Sequence, residues 1–185
     1  MRRIRDAATR VPATRPFSAS GVSLLLMAWD AQTAQRASAA PQAPAGRRPA
    51  DASRLPPAAP GAMSYRYTTD LAAVRAVVYR YARQAGLTES RAIDLVLAVS
   101  EVAANTVRYA KSPGSLKIWY DSREIVCQIQ DDGIIADPLA GRRTPSLEGT
   151  GGHGLWIVNQ VCDEVEMRSD ETGTTIRLHM DLPGS

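Results

Sequence analysis

The spacing of apolar and polar positions is regular only after Met63. In DLAAVRAVVYRYARQAG, residues 70–86, Leu71, Val74, Val77, Val78 and Tyr81 share one face of a 3.6-residue period. That pattern predicts an amphipathic helix stopped by Gly86. ESRAIDLVLAVSEVAANTVRYA, residues 89–110, predicts a second helix with Ile93, Val96, Leu97, Val99, Ala103 and Val107 on its apolar face. Thr88 stands at its cap position, Glu89 favours its start, and the SPG at 112–114 breaks it. The period then falls to two. SLKIWYD alternates through Leu116, Ile118 and Tyr120, and EIVCQIQDDG through Ile125, Cys127 and Ile129. Only Ser122 and Arg123 separate these runs, which predicts a hairpin. Residues 134–150 have no period and predict a long loop, the kind that usually carries function. A short helix over about 154–163 follows, then two strands, EVEMRS and TTIRLHM, joined by a turn at DETG. The order α-α-β-β-loop-α-β-β, with helices segregated from antiparallel hairpins, predicts a two-layer α/β sandwich over residues 63–185.

Residues 1–62 have a different texture. They are rich in Ala, Pro, Arg and Ser, and the composition predicts a disordered extension. Val22 to Trp29, VSLLLMAW, is apolar but far too short to span a bilayer. With a basic start before it and small residues at Ala37 to Ala40, it loosely imitates an export signal without a clear cleavage site. The expectation is therefore a cytoplasmic protein without a membrane segment. Its extension is either genuine or precedes a true start at Met63.

Charge follows the same division. Residues 1–62 hold nine basic and three acidic side chains, and residues 63–185 hold 13 and 16, so the whole-chain +3 comes from the extension. A mildly acidic body has no basic stripe, which argues against direct nucleic-acid binding. Cys127 and Cys162 form no C-x-x-C pair and sit in apolar patterns, as reduced core thiols do. His153 and His179 are too few for a metal cluster, and His179 lies within a strand pattern.

The chemistry centres on GTGGHGLWIVNQV, residues 149–161. Gly149, Gly151 and Gly154 spell G-x-G-x-x-G, the dinucleotide fingerprint. That fingerprint needs a strand immediately before it and a βαβ unit around it. Here RRTPSLE precedes it and antiparallel strands follow, so the dinucleotide reading fails. No Walker A loop is present either. What is left is a glycine run entering a helix. It is either a hinge or a phosphate contact made through unpaired helix N–H groups.

Two further features bear on that choice. Glu101 and Asn105 stand four residues apart on the second predicted helix, so they share a face about 6 Å apart. Polar groups inside LVLAVSEVAANTV are costly unless paired or functional. They form either a solvent-facing strip or a general base beside an oxygen ligand for Mg2+. Asp131, by the two-residue period, shares the core side of its strand with Ile125, Cys127 and Ile129, while Asp132 faces the other way. A carboxylate there must accept hydrogen bonds, and an adenine amino group can supply one. Gly133 would let the chain pass close to a flat ring. The alternative is an ordinary Asp-Gly turn.

Together and in this order, E-x-x-x-N on a helix, D-x-G after a strand, G-H-G-L opening a helix and a final GTT strand resemble the GHKL ATPase family. The nearest resemblance is to the anti-sigma factor serine kinases of the RsbW/SpoIIAB kind, over residues 66–182. The resemblance implies the Bergerat sandwich, with a mixed, mostly antiparallel sheet, helices on one face and an ATP lid. It implies that ATP and Mg2+ are bound. Glu101 would be the catalytic base, Asn105 the Mg2+ ligand, Asp131 and Gly133 the adenine contacts, Gly152 and Gly154 the phosphate contacts, and Thr174 a support of the adenine site. After Gly133 the chain reads IIADP, where many relatives have a second glycine and an aromatic. The implied activity is transfer of phosphate from ATP to a Ser or Thr of a STAS-type anti-anti-sigma protein, with a sigma factor as the sequestered partner and homodimerisation as in relatives. The alternative is an ATP-binding interaction module without significant phosphotransfer.

Overall fold

A computed structural model describes residues 55, 57–110, 112–137, 139–143 and 153–184. The expected extension over residues 1–62 lies almost wholly outside them. Elements are numbered within the described residues: β1 (Met63–Tyr67), α1 (Leu71–Ala85), α2 (Glu89–Tyr109), β2 (Gly114–Tyr120), β3 (Glu124–Asp131), α3 (His153–Val161), β4 (Glu164–Asp170) and β5 (Gly173–Asp181). No helix among them is long and apolar enough to cross a membrane.

Both long helices begin at side-chain caps. The Asp70 carboxylate accepts the Ala73 N–H at 2.9 Å, and Thr88 Oγ1 accepts the Arg91 N–H at 3.3 Å. Each cap satisfies one of the donors a helix start leaves unpaired. α1 ends at Gly86, as its sequence predicts, and buries Val74, Val78 and Ala82. α2 is buried on more than one face. Leu95 to Ser100, Val102 and Ala103 are all buried, because the helix is packed between α1, α3 and the sheet. Val107, expected on its apolar face, is 40% exposed. It lies in the last turn, beyond the packed stretch, next to the exposed Arg108 and Tyr109.

The five strands run in the order β1-β2-β3-β5-β4. Every described pairing is antiparallel, so the expected two-layer architecture holds with an antiparallel rather than mixed sheet. Tight connections account for two of these pairings, β2 with β3 and β4 with β5. Asp121 N–H bonds the Glu124 carbonyl at 3.1 Å around the two-residue Ser122-Arg123 turn, and its carboxylate accepts two more backbone donors there. Leu116, Ile118, Ile125, Cys127, Ile129, Ile176, Leu178 and Met180 form the sheet's contribution to the core.

Strand β1 is an addition to the predicted elements. Its five residues follow the Ala/Pro-rich stretch, and its strand character depends on pairing with β2, with Tyr67 opposite Gly114. Both cysteines are free and buried, as expected. Burial raises the Cys127 thiol far above its ordinary range and pushes Cys162 up to about 12, so neither is a thiolate at neutral pH. His179 is half-buried between two carboxylates, with Nδ1 3.1 Å from Glu124 and Nε2 3.4 Å from Glu166.

Candidate functional site

Among the described residues, all the candidates named from the sequence come together around one cavity of about 390 Å3. Glu101, Asn105, Asp131, Gly133, Gly154 and Thr174 all line it. Gly152 lies outside the described residues, as do Gly149 and Gly151. Apolar side chains complete the walls, including Val102, Ile134, Leu155 and Ile176. A concavity with apolar walls and convergent polar groups is the usual form of a small-molecule site.

α2 supplies one group of lining residues. Glu101 and Asn105 lie one turn apart where the buried stretch of the helix gives way to the cavity. Among the described residues, no hydrogen bond engages either side chain. Burial raises the Glu101 carboxyl above the ordinary carboxylate range, and the nearby Arg108 guanidinium partly offsets this. A proton acceptor tuned upward in this way is suited to general-base work. Gly154, in the first turn of α3, faces this group so closely that a Cβ there would lie 2.7 Å from Glu101 Oε2. The Glu101 carboxylate can therefore lie where it does against the start of α3 because residue 154 has no side chain.

A second group of lining residues comes from the C-terminal end of β3 and the facing part of β5. Asp131 pairs in register with Thr174. Its Oδ1 accepts the Gly133 N–H at 2.8 Å, and its Oδ2 accepts the Thr106 hydroxyl at 2.5 Å. Gly173 makes this junction possible: its φ is +125°, and a Cβ would fall 2.2 Å from the Asp131 carbonyl oxygen. Thr174 Oγ1 donates to the Gly133 carbonyl at 2.7 Å. Since a hydroxyl has one proton, Ser169 Oγ, 2.8 Å away, is the donor to Thr174, and Ser169 in turn accepts the Ile135 N–H at 2.8 Å. Thr174 thus lines the cavity and also tethers residues 133–135 to β4 and β5. Asp132 is exposed, as its place in the alternation predicts, and accepts the Ser112 N–H at 3.2 Å.

Arg108, Tyr109 and His153 also line the cavity, although the sequence does not mark them as strongly. Arg108 is three residues and Tyr109 four residues beyond Asn105, so helical spacing alone places them on the same side. Thr106 and Ser169 are harder to find. Each acts through a contact distant in sequence, 25 and 34 residues away.

The donors at the α2 end are oxygens of a carboxylate and an amide, the class a hard cation such as Mg2+ takes. Among the described residues there is no cluster of three or more His, Cys, Asp or Glu that would hold a metal by protein ligands alone. The arrangement therefore fits a cation that shares its coordination with phosphate oxygens and water.

Residues 66–180 match the family described as histidine kinase-like ATPase domain. The serine-protein kinase RsbW of Halalkalibacterium halodurans is 29% identical over 109 residues, which span 52% of this chain and 67% of that protein. The solved RsbU and RsbW domains of Rv1364c from Mycobacterium tuberculosis align with a TM-score of 0.47 and 17% identity, over 64% of this chain and 32% of that one. The present chain thus spans about a third of that structure's length. The Acinetobacter baumannii histidine kinase AdeS aligns with a TM-score of 0.41 and 15% identity, over 66% and 68% of the two chains.

Proposed function

Because this chain belongs to the histidine kinase-like ATPase domain family, we propose that it binds ATP with Mg2+ and transfers the γ-phosphoryl group to a Ser or Thr of an antagonist protein. In the unengaged state it sequesters a sigma factor. The observation that carries the reading is that one cavity is lined both by Glu101 and Asn105, which have no hydrogen-bonded partner among the described residues, and by a fixed acceptor, Asp131. The similarity to a serine-protein kinase, RsbW, supports the choice of acceptor residue.

In this reading Asp131 accepts the adenine amino group and the apolar walls hold the ring. Asn105 would hold Mg2+ through its amide oxygen, and the ion would supply positive charge against the phosphates. Gly154 N–H, in the first turn of α3, faces the phosphates. Arg108 adds a positive charge at the same end. The acceptor hydroxyl oxygen attacks the γ-phosphorus. A new O–P bond forms as the bond to the β-bridging oxygen breaks, ADP leaves with that electron pair, and the hydroxyl proton passes to the Glu101 carboxylate. The raised proton affinity of Glu101 suits it to receive that proton.

The test is incubation of the full chain with γ-labelled ATP, Mg2+ and candidate antagonist proteins, followed by counting label on Ser and Thr. The expected result is transfer in the parent chain and a fall of about 10²- to 10⁴-fold in Glu101→Ala, with ATP binding retained. ATP binding without transfer to any candidate would instead favour an interaction module. Failure to bind ATP at all would overturn the reading.

A further inference from the structure

The Asp131 carboxylate is held from behind by two residues that do not line the cavity. Thr106 Oγ1 donates to Asp131 Oδ2 at 2.5 Å, and Tyr67 OH donates to Thr106 Oγ1 at 3.2 Å. Both residues are only 3% exposed. A threonine hydroxyl has a single proton to give. Thr106 could place it on Asp131 or on the Val102 carbonyl, which is 3.3 Å away, and the contact to the carboxylate is much the shorter and is assisted by charge. Tyr67 stays a donor across the physiological range, since burial above all pushes its phenol up to about 12. Proton donation therefore runs one way, from Tyr67 to Thr106 to Asp131, and the Gly133 N–H adds a donor at the other carboxylate oxygen.

The seat for this relay is also built into the sheet. Tyr67 ends β1 opposite Gly114, and a Cβ at Gly114 would lie 2.3 Å from Tyr67 Cζ. The phenol ring therefore occupies the space a side chain at 114 would need. Edge strand, sheet and helix thus converge on one carboxylate at the wall of the cavity.

We propose that Tyr67 and Thr106 are positioning residues that hold Asp131 as a fixed acceptor, so that the cavity selects a purine with an amino donor at C6 over one with a keto oxygen there. This rests on the reading that Asp131 meets the purine. A carboxylate that already receives directed donors from the protein on both oxygens stays in one rotamer and offers only lone pairs to the ligand. An amino group satisfies it, whereas a keto oxygen sets acceptor against acceptor, a mismatch that binding sites reject strongly.

The test measures equilibrium affinities of the full chain for ATP and for inosine triphosphate, which differ at that position. In the parent chain ATP is preferred. Thr106→Val keeps the volume and Tyr67→Phe keeps the ring over Gly114. Each is expected to lower the ATP-over-inosine-triphosphate ratio by about three- to tenfold, the worth of one hydrogen bond. Thr106→Ser, which restores the hydroxyl, is expected to restore the ratio. Asp131→Asn, whose amide can donate to a keto oxygen, sets the full loss of preference. If Asp131→Asn abolishes the preference while Thr106→Val and Tyr67→Phe leave it unchanged, or weaken both nucleotides equally, the relay is wrong and the adenine reading stands. If Asp131→Asn also leaves the ratio unchanged, the adenine reading fails and the relay with it.

Discussion

The two sets of polar groups in the cavity wall, one around Asp131 and one around Glu101, are built on opposite principles. At the Asp131 end the polar groups are already spoken for: Asp131 by Thr106 and Gly133, Gly133 by Thr174, Thr174 by Ser169, and Ser169 by Ile135. Those bonds draw on α2, β3, β4, β5 and the segment after β3. At the Glu101 end, Glu101 and Asn105 project from a single helix with no hydrogen-bonded partner among the described residues. A preorganised end loses little on binding, because its geometry exists before the ligand arrives. An unengaged end has polar groups whose partners the ligand must bring, which suits groups that act on a reacting atom. Recognition and reaction are therefore separable, and mutations at the two ends should fail in different ways.

After the loss of transfer in Glu101→Ala, the largest effect expected from that contrast is on affinity. Asp131→Asn removes a charged acceptor and leaves the Thr106 and Gly133 donors facing an amide. ATP affinity of the full chain, measured by calorimetry, is expected to fall about 10- to 100-fold, the worth of a hydrogen bond to a charged group. The rate of phosphotransfer at saturating ATP should change much less. Unchanged affinity would mean that the fixed end does not meet the nucleotide.

How much of this could be read in the chain follows the same division. Glu101, Asn105 and Asp131 were legible because each interrupts an apolar period, and burial makes such interruptions costly. The helices and hairpins were legible because their periods, caps and two-residue turn are local. Strand β1 was not, since MSYRY becomes a strand only by pairing with β2 across more than 40 intervening residues, with Tyr67 set over Gly114. Thr106 was missed for a related reason. A threonine in a helix breaks no pattern, and nothing local shows that its hydroxyl meets Asp131. Ser169 is the same case. Arg108 and Tyr109 were within reach of spacing arguments, but a polar last turn reads equally well as a solvated helix end. Local periodicity therefore points to the groups that act and is silent on the bonds that hold them.

A smaller effect, on rate rather than affinity, is expected at the other end. In Gly154→Ala the new methyl would meet Glu101 Oε2 at 2.7 Å. That atom is the tip of a flexible side chain, so the carboxylate can swing away, and alanine suits a helix better than glycine. Thermal stability should therefore be unchanged or slightly higher. Phosphotransfer at saturating ATP should fall about tenfold, because the base no longer stands where it takes the proton. A variant that melts much earlier, or one that transfers phosphate at the parent rate, would show that the closeness of Gly154 to Glu101 has no catalytic meaning.

The subtlest expectation concerns pH. Glu101 acts as a base only when ionised, so the rate must fall as pH drops through its pKa. Burial raises that pKa and Arg108 lowers it, with burial the larger influence. Arg108→Gln removes the lowering influence and leaves the burial. The acid limb of the profile of kcat against pH should then move to higher pH, and near that limb the variant should be slower by roughly twofold, as befits a partly exposed charge pair. Well above the limb, Glu101 is ionised in both proteins, and the ratio of their kcat values should become independent of pH. Working at saturating ATP separates this from any weakening of nucleotide binding, since Arg108 also lines the cavity. A limb that stays in place would show that Arg108 does not act on the titrating group, and one that moves to lower pH would show that Glu101 is not that group.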